Sequence, residues 1–148
     1  MKGEKMSRII YKGKLDGVFY GFDNEELFKM NNGTYWIQAV YKYWYHYEDR
    51  PEGIIKEEHG RYYLSVAREE VEVRQLNPPI ESRIKGEFKG WNGKTSYILT
   101  NGQKWKQVES NYKYAYYCNS PKAIVYKGLS GKYMKVAGTR VKVKRIEY

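Results

Sequence analysis

The strongest constraint on the fold of this chain is that its two halves resemble each other. Residues 15–38 align without gaps to residues 84–107, with 7 identities in 24 positions. After a short length change, residues 51–76 align to residues 121–146, with 7 identities in 26 positions. Glycines, tryptophans and a proline recur in the same order, as in the pairs Gly17/Gly86, Gly33/Gly102, Trp36/Trp105 and Pro51/Pro121. The sequence therefore predicts an internal tandem repeat.

A short proline segment separates the two copies. Asn77 is followed by Pro78 and Pro79, which lack a backbone donor and bias the preceding residue away from helix. We therefore predict one module at residues 11–77 and a second at residues 80–148, joined by a very short linker.

The hydrophobic pattern within each copy is typical of β-strands. In the second copy lysines alternate with apolar residues around Trp105 and around Val141 and Val143, and Asn101-Gly102 marks a hairpin. About five strands in a module of roughly 65 residues, with glycines at bends, suit a small closed barrel. We therefore predict an all-β chain of two tandem SH3-like small barrels, with an OB-type barrel as the competing architecture.

The second copy also carries a recognisable pattern. It reads G-x-F-x-G-W-x-G-x-T at residues 86–95 and L-x-N-G-Q-x-W-x-Q at residues 99–107. This pattern resembles a set of small uncharacterised bacterial β-barrel domains that occur singly or appended to other domains. The first copy departs from it, with Phe22 in place of the tryptophan and Thr34 in place of the first glutamine. The resemblance implies module boundaries and no activity, so it identifies no catalytic residue.

The side chains that usually carry catalysis are sparse. His46 and His59 are the only histidines, and neither has metal-ligand spacing. Adjacent glutamates such as Glu57 and Glu58 point to opposite faces of a strand and do not converge. There is no phosphate-binding glycine loop, zinc-protease motif or nucleophile elbow in the sequence. We predict a protein that is not an enzyme and has no metal or cofactor.

Location is predicted from what the sequence lacks. Its apolar runs are far shorter than a membrane helix needs, and residues 1–10 have no apolar signal region. Cys118 is the single cysteine, which excludes an internal disulfide and fits a reducing compartment. We therefore predict a cytoplasmic protein without a membrane partner.

The positive charge is concentrated in the second copy. Residues 80–148 have a net charge of +11, whereas residues 11–77 have −3. Alternation places lysine pairs of three strands on the face opposite the core, which predicts a contact surface for nucleic acid or another polyanion. The predicted ligand-binding residues are Lys85, Lys89, Lys104, Lys106, Lys142, Lys144, Tyr112, Tyr114 and Tyr116.

Tyrosine is abundant, with 17 residues, and forms two rows at a spacing of two. The rows are Tyr41, Tyr43, Tyr45 and Tyr47, and Tyr112, Tyr114 and Tyr116. An extended row places its rings on one face. The favoured interpretation is a barrel core or module interface built from tyrosine because aliphatic residues are scarce. The alternative is a stacking platform for single-stranded nucleic acid.

In the first copy, the surface that corresponds to the lysine pairs of the second copy is partly apolar. Val18, Tyr20, Tyr35 and Ile37 stand at positions that are charged in the second copy. Such a surface either packs against the other module or contacts a protein partner, including a second copy of the chain. A protein-interaction module is therefore the alternative function, and a carbohydrate ligand is a weaker third.

Overall fold

The structure of the protein is a computed structural model that describes residues 7–93, 95–108 and 117–146. All regular secondary structure in these residues is β-strand, so the all-β prediction is confirmed. The chain divides into two compact units, Met1–Pro78 and Pro79–Tyr148, which we name unit 1 and unit 2. None of the described residues lies in a helix long and apolar enough to cross a membrane.

Unit 1 has eight strands in its described residues. They are β1 (Ser7–Lys14), β2 (Val18–Phe22), β3 (Leu27–Lys29), β4 (Tyr35–Gln38), β5 (Trp44–Asp49), β6 (Glu52–Glu58), β7 (Arg61–Val66) and β8 (Glu69–Leu76). Six form one antiparallel sheet in the order β1-β6-β7-β8-β4-β3. The other two, β2 and β5, pair with each other in a separate antiparallel ribbon.

Unit 2 also has eight strands among its described residues. They are β9 (Ile80–Arg83), β10 (Glu87–Phe88), β11 (Ser96–Ile98), β12 (Lys104–Gln107), β13 (Cys118–Asn119), β14 (Lys122–Lys127), β15 (Lys132–Val136) and β16 (Thr139–Ile146). The six-stranded sheet has the order β9-β14-β15-β16-β12-β11, and β10 pairs with β13. Strand for strand, this is the order found in unit 1.

Each six-stranded sheet curls until its two edges meet. In unit 1 a β-bridge joins Leu15, which follows β1, to Met30, which follows β3. In unit 2 Ile84 and Leu99 form a bridge at the corresponding edges. Curling of this kind reduces the length of unpaired strand edge in each sheet.

Alternation along the strands separates core from surface. In β16 the buried Val141 and Val143 alternate with Lys142 and Lys144, which therefore project from the opposite face. The burial pattern along β8 is the same, residue for residue. The valines of both strands pack into the core clusters of their units.

Two tryptophans anchor these cores from equivalent strands. Trp36 in β4 is 2% exposed and Trp105 in β12 is 1% exposed. Each lies opposite an aromatic residue of the neighbouring strand, Phe28 for Trp36 and Tyr97 for Trp105. The alternation around Trp105 predicted this inward position.

The Asn-Gly pairs form the hairpin turns that precede these tryptophans. The side-chain oxygen of Asn32 accepts a hydrogen bond from the Thr34 amide at 3.1 Å, and Gly33 has φ of 87°. Asn101 and Gly102 repeat the arrangement between β11 and β12, with φ of 91° at the glycine. Glycine adopts this left-handed conformation without steric cost, which explains its place in both turns.

Candidate functional site

Four of the predicted lysines come together on one face of the unit 2 sheet. β12 pairs with β16, and Lys106 lies directly opposite Lys144 in that register. Lys104 is two residues from Lys106, and Lys142 is two residues from Lys144, so each pair shares one side of its strand. Neighbouring strands are about 4.8 Å apart and alternate residues about 6.8 Å apart. These four residues therefore form one cluster, the lysine face.

The lysine face contains a like-charge pair that lowers the stability of the sheet. Directly opposite residues of antiparallel strands have Cβ atoms about 4.5–5.5 Å apart, and like charges there are destabilising. Lys106 and Lys144, which are both exposed, form such a pair. In unit 1 the strands β4 and β8 hold Ile37 opposite Arg74 at these positions. A bound anion would relieve the repulsion in unit 2.

Arg140 continues the row of cations along β16. Its guanidinium carbon lies 4.9 Å from the ring centre of Tyr133, and Nζ of Lys142 lies 6.0 Å from the same centre. Tyr133 stacks on Tyr126 with the two ring centroids 5.5 Å apart, and both rings are buried. These cation–π contacts orient the two cations. The sequence analysis missed Arg140, although it shares the alternation of Lys142 and Lys144.

The other two predicted lysines lie apart from the lysine face. The Lys85 amide donates a hydrogen bond to the carbonyl of Ile98 at 2.7 Å, and Ile98 lies opposite Lys104. Lys85 therefore lies next to β11, and this strand separates it from the lysine face. Lys89 follows β10, which pairs with β13 and not with the six-stranded sheet. The structure does not bring Lys89 into the cluster.

A carboxylate lies between these two lysines in the sequence. Glu87 accepts a hydrogen bond from the Tyr117 hydroxyl, and this bond is the main cause that raises the pKa of Tyr117. The raised pKa favours the protonated phenol, which is the form that donates to Glu87. Burial is the main cause of a raised pKa at Tyr97, whose hydroxyl donates to the Gly90 carbonyl at 2.9 Å.

The two tyrosine rows have different outcomes. Tyr112, Tyr114 and Tyr116 lie outside the described residues. In unit 1 the four tyrosines of residues 41–47 are 60–66% exposed, so a core position is wrong for this row. Trp44 and His46 alternate with the tyrosines and are the residues that turn inward, where Trp44 packs on the core.

The predicted apolar surface of unit 1 divides into two pairs. Val18 and Tyr20 in β2 are exposed, at 39% and 40%. Tyr35 and Ile37 in β4 are only 6% and 1% exposed, so they do not form an exposed surface, and neither belongs to the core cluster of unit 1. All four residues of β4 are buried, and of the three residues 35–37 only Trp36 belongs to the core cluster of unit 1. Nζ of Lys29 lies 5.3 Å from the ring centre of Tyr35.

The glutamines of the sequence pattern have structural contacts. The buried Gln38 accepts a hydrogen bond from the Asp23 amide at 3.0 Å and donates to the carbonyls of Asp23 and Val40 at 2.7 and 2.9 Å. Gln107 is also buried, and its side-chain oxygen accepts from the Gly93 amide at 2.8 Å. These side-chain amides hold loops against the sheet, so both glutamines have a structural role.

The described residues contain no group of three His, Cys, Asp or Glu side chains placed to hold a metal ion. Comparison with known protein families, with curated proteins and with solved structures gives no match to this chain. The surfaces of the two units therefore provide the basis for a functional proposal.

Proposed function

We propose that this protein is a non-enzymatic binding protein whose lysine face binds a polyanion, with nucleic acid as the leading class. The observation that carries the proposal is the direct pairing of Lys106 with Lys144 inside a four-lysine cluster. The cluster lies in a module of net charge +11, which raises the local concentration of anions. Neutralising phosphates with lysines also releases condensed counterions, and this favours binding. We place the protein in the cytoplasm, where Cys118 would stay reduced.

We also propose that the two units are a tandem repeat of SH3-like small barrels, with modules at residues 11–77 and 80–148. The identical strand order supports this, as do the bridges that join corresponding sheet edges. Trp36 and Trp105 pair with the same relative positions of β8 and β16. The pattern shared with small bacterial β-barrel domains supports the same boundaries. On this proposal the lysine face is a specialisation of the second copy.

The polyanion proposal predicts that the full chain binds a single-stranded DNA oligonucleotide with a steep dependence on salt. Each phosphate neutralised adds about −0.7 to −0.9 to the slope of log affinity against log salt, so four contacts give a slope of about −3. Raising the salt concentration fourfold should then weaken binding by roughly 60-fold. Fluorescence anisotropy at several salt concentrations measures the slope. No binding at low salt, or binding that salt does not change, would contradict the proposal.

A substitution of Lys106 by threonine separates the binding role of this residue from a structural one. Lys106→Thr removes the repulsion with Lys144, so the free energy of unfolding should rise by about 0.2–1 kcal/mol. The same variant loses one phosphate contact, and the salt slope should become shallower by about 1. Denaturant unfolding and the anisotropy titration measure the two effects.

The matched control for this variant is Arg74→Thr in unit 1. Arg74 occupies the position equivalent to Lys144, but it lies opposite the uncharged Ile37. We expect neither a gain in stability nor a change in the salt slope. A Lys106→Thr protein that kept the parent slope would show that Lys106 does not contact the polyanion.

A protein-interaction function is the second candidate, and a separate surface favours it. The exposed tyrosines of residues 41–47 continue onto Val18 and Tyr20 of the neighbouring strand. This surface is aromatic and lies in unit 1, where the net charge is slightly negative. Binding there should depend little on salt, in contrast to binding at the lysine face.

A further inference from the structure

A row of exposed tyrosines lies on a rigid support in unit 1. We name the side chains Tyr41, Tyr43, Tyr45 and Tyr47 the tyrosine ribbon; they are 66, 64, 63 and 60% exposed. On the other side of β5, the rings of Trp44 and His46 stack with centroids 4.8 Å apart and an interplanar angle of 9°. Both rings contact Phe19, at centroid distances of 6.0 and 6.2 Å. The tyrosines are exposed because these inner rings already fill the space beneath the strand.

The close pairing of β2 with β5 extends this aromatic surface. A Cβ atom on Gly21 would lie 1.9 Å from the carbonyl oxygen of Trp44, so only glycine allows this approach. The approach brings Tyr20 against Tyr47, with ring centroids 5.6 Å apart in an edge-to-face arrangement. Val18 continues the exposed side of β2. The tyrosine ribbon is therefore one margin of a wider apolar surface.

The area of this surface lies at the upper end of what a typical monomer exposes. An aromatic side chain has about 200 Å² of surface, so four tyrosines at this exposure present about 500 Å². Tyr20 and Val18 add to it, whereas the largest apolar patch of a typical monomer is about 300–600 Å². Two such surfaces packed together would bury more than about 1,000 Å² in total, which is the lower bound for a specific interface.

The charged side chains that border the ribbon are paired within unit 1, so the ribbon offers no cationic surface to a polyanion. Glu48 and Asp49 follow the last tyrosine at one end of β5. The cation inside the row, Lys42, has its Nζ 3.2 Å from the carboxylate of Glu69 and 2.8 Å from the Glu70 carbonyl oxygen. The Glu48 carboxylate lies 2.9 Å from the His46 ring nitrogen, on the side of β5 opposite the tyrosines, and the Asp49 carboxylate lies 3.8 Å from the Arg50 guanidinium. The charges bordering the ribbon are thus paired within unit 1, and they do not oppose the approach of a second copy.

We propose that the tyrosine ribbon is a self-association surface, on which a second copy of this chain packs face to face. Tyr45 and Tyr47 lie on one side of β5, where successive rings are about 6.8 Å apart, and a ring of a facing copy can enter the gap between them. Aromatic pairs are favourable at centroid separations of about 4.5–7 Å. This inference names the partner of the interaction surface described above and does not depend on polyanion binding. A dimer would carry two lysine faces in one particle.

The test is the mass of the full chain in solution as a function of concentration. We expect a reversible monomer–dimer equilibrium in sedimentation velocity, measured with a reductant because Cys118 is a free thiol. The double variant Tyr43→Lys/Tyr45→Lys places charges in the centre of the contact, and its dissociation constant should rise on the order of 100-fold. Circular dichroism should show an unchanged fold, since both side chains are exposed.

The matched control is Tyr117→Lys, a tyrosine of unit 2 with 59% exposure, which should leave the equilibrium unchanged. A dimer that persists in high salt, where binding to DNA is lost, would support the proposal and separate it from polyanion binding. A chain that is monomeric at all concentrations would overturn self-association, even if the ribbon bound a different protein or a sugar. A dimer that survives the double variant, or that the control dissociates equally, would also overturn it.

Discussion

Replacing Trp105 by alanine is expected to lower the free energy of unfolding of unit 2 by roughly 3–5 kcal/mol. Its ring is 1% exposed and packs in the core cluster between β11 and β16, opposite Tyr97 and Arg145. A module of about 70 residues has a total stability of roughly 4–10 kcal/mol. The variant should therefore leave unit 2 partly or wholly unfolded. Trp36→Ala should have the same effect on unit 1, where Trp36 is 2% exposed.

The distribution of tryptophans makes this prediction measurable for each unit separately. Unit 1 keeps Trp44 when Trp36 is removed, and unit 2 keeps Trp91 when Trp105 is removed. Fluorescence-detected unfolding in denaturant therefore follows both units in every variant, and the unit that carries the substitution is identified by the transition that shifts relative to the parent. Trp105→Phe, which keeps most of the volume and loses the indole hydrogen bond to Gln103, is the control and should cost much less. Midpoints close to that of the parent for both alanine variants would contradict the buried role.

Period-two alternation explains why much of the unit 2 surface is predictable from sequence. Val141 and Val143 must face the core, so the intervening Lys142 must face away from it. The pairing of β12 with β16 is different, because it joins residues nearly forty positions apart and local pattern does not specify it. The position of Lys106 directly opposite Lys144 therefore required the structure. The separation of Lys89 from the lysine face also required the structure, because β10 pairs outside the six-stranded sheet.

In unit 1 alternation also holds along residues 41–47, but the tyrosines lie on the exposed side and not on the side that faces the core. Residues 41–47 alternate tyrosine with other side chains, and a preference for buried aromatics favoured the tyrosines as core. Trp44 is also aromatic and takes the inner position instead. At Ile37 alternation predicts an outward side chain, yet the whole of β4 is buried. Alternation assigns residues to two faces, and only the packing of the folded chain decides which faces are covered.

Reversing two charges on the lysine face should abolish binding to the oligonucleotide, with a loss of affinity on the order of 100-fold or more at low salt. Lys104→Glu/Lys106→Glu removes two phosphate contacts and places two carboxylates beside Lys142 and Lys144. Opposite charges across β12 and β16 would then neutralise the remaining lysines, so the substitution acts on all four members of the cluster. The fold should persist, because Lys106 is exposed and an opposite-charge pair with Lys144 is favourable.

The control for this reversal is Lys89→Glu/Lys127→Glu. It has the same change in net charge within unit 2, at exposed lysines that lie outside the lysine face. If the contact is local, the control should retain most of the affinity and lose only a long-range component that salt screens. Equal losses in the two double variants would show that net charge alone drives binding. If Lys104→Glu/Lys106→Glu left binding unchanged, the lysine face would be ruled out. A polyanion site that contains these lysines would not tolerate the reversal of their charges.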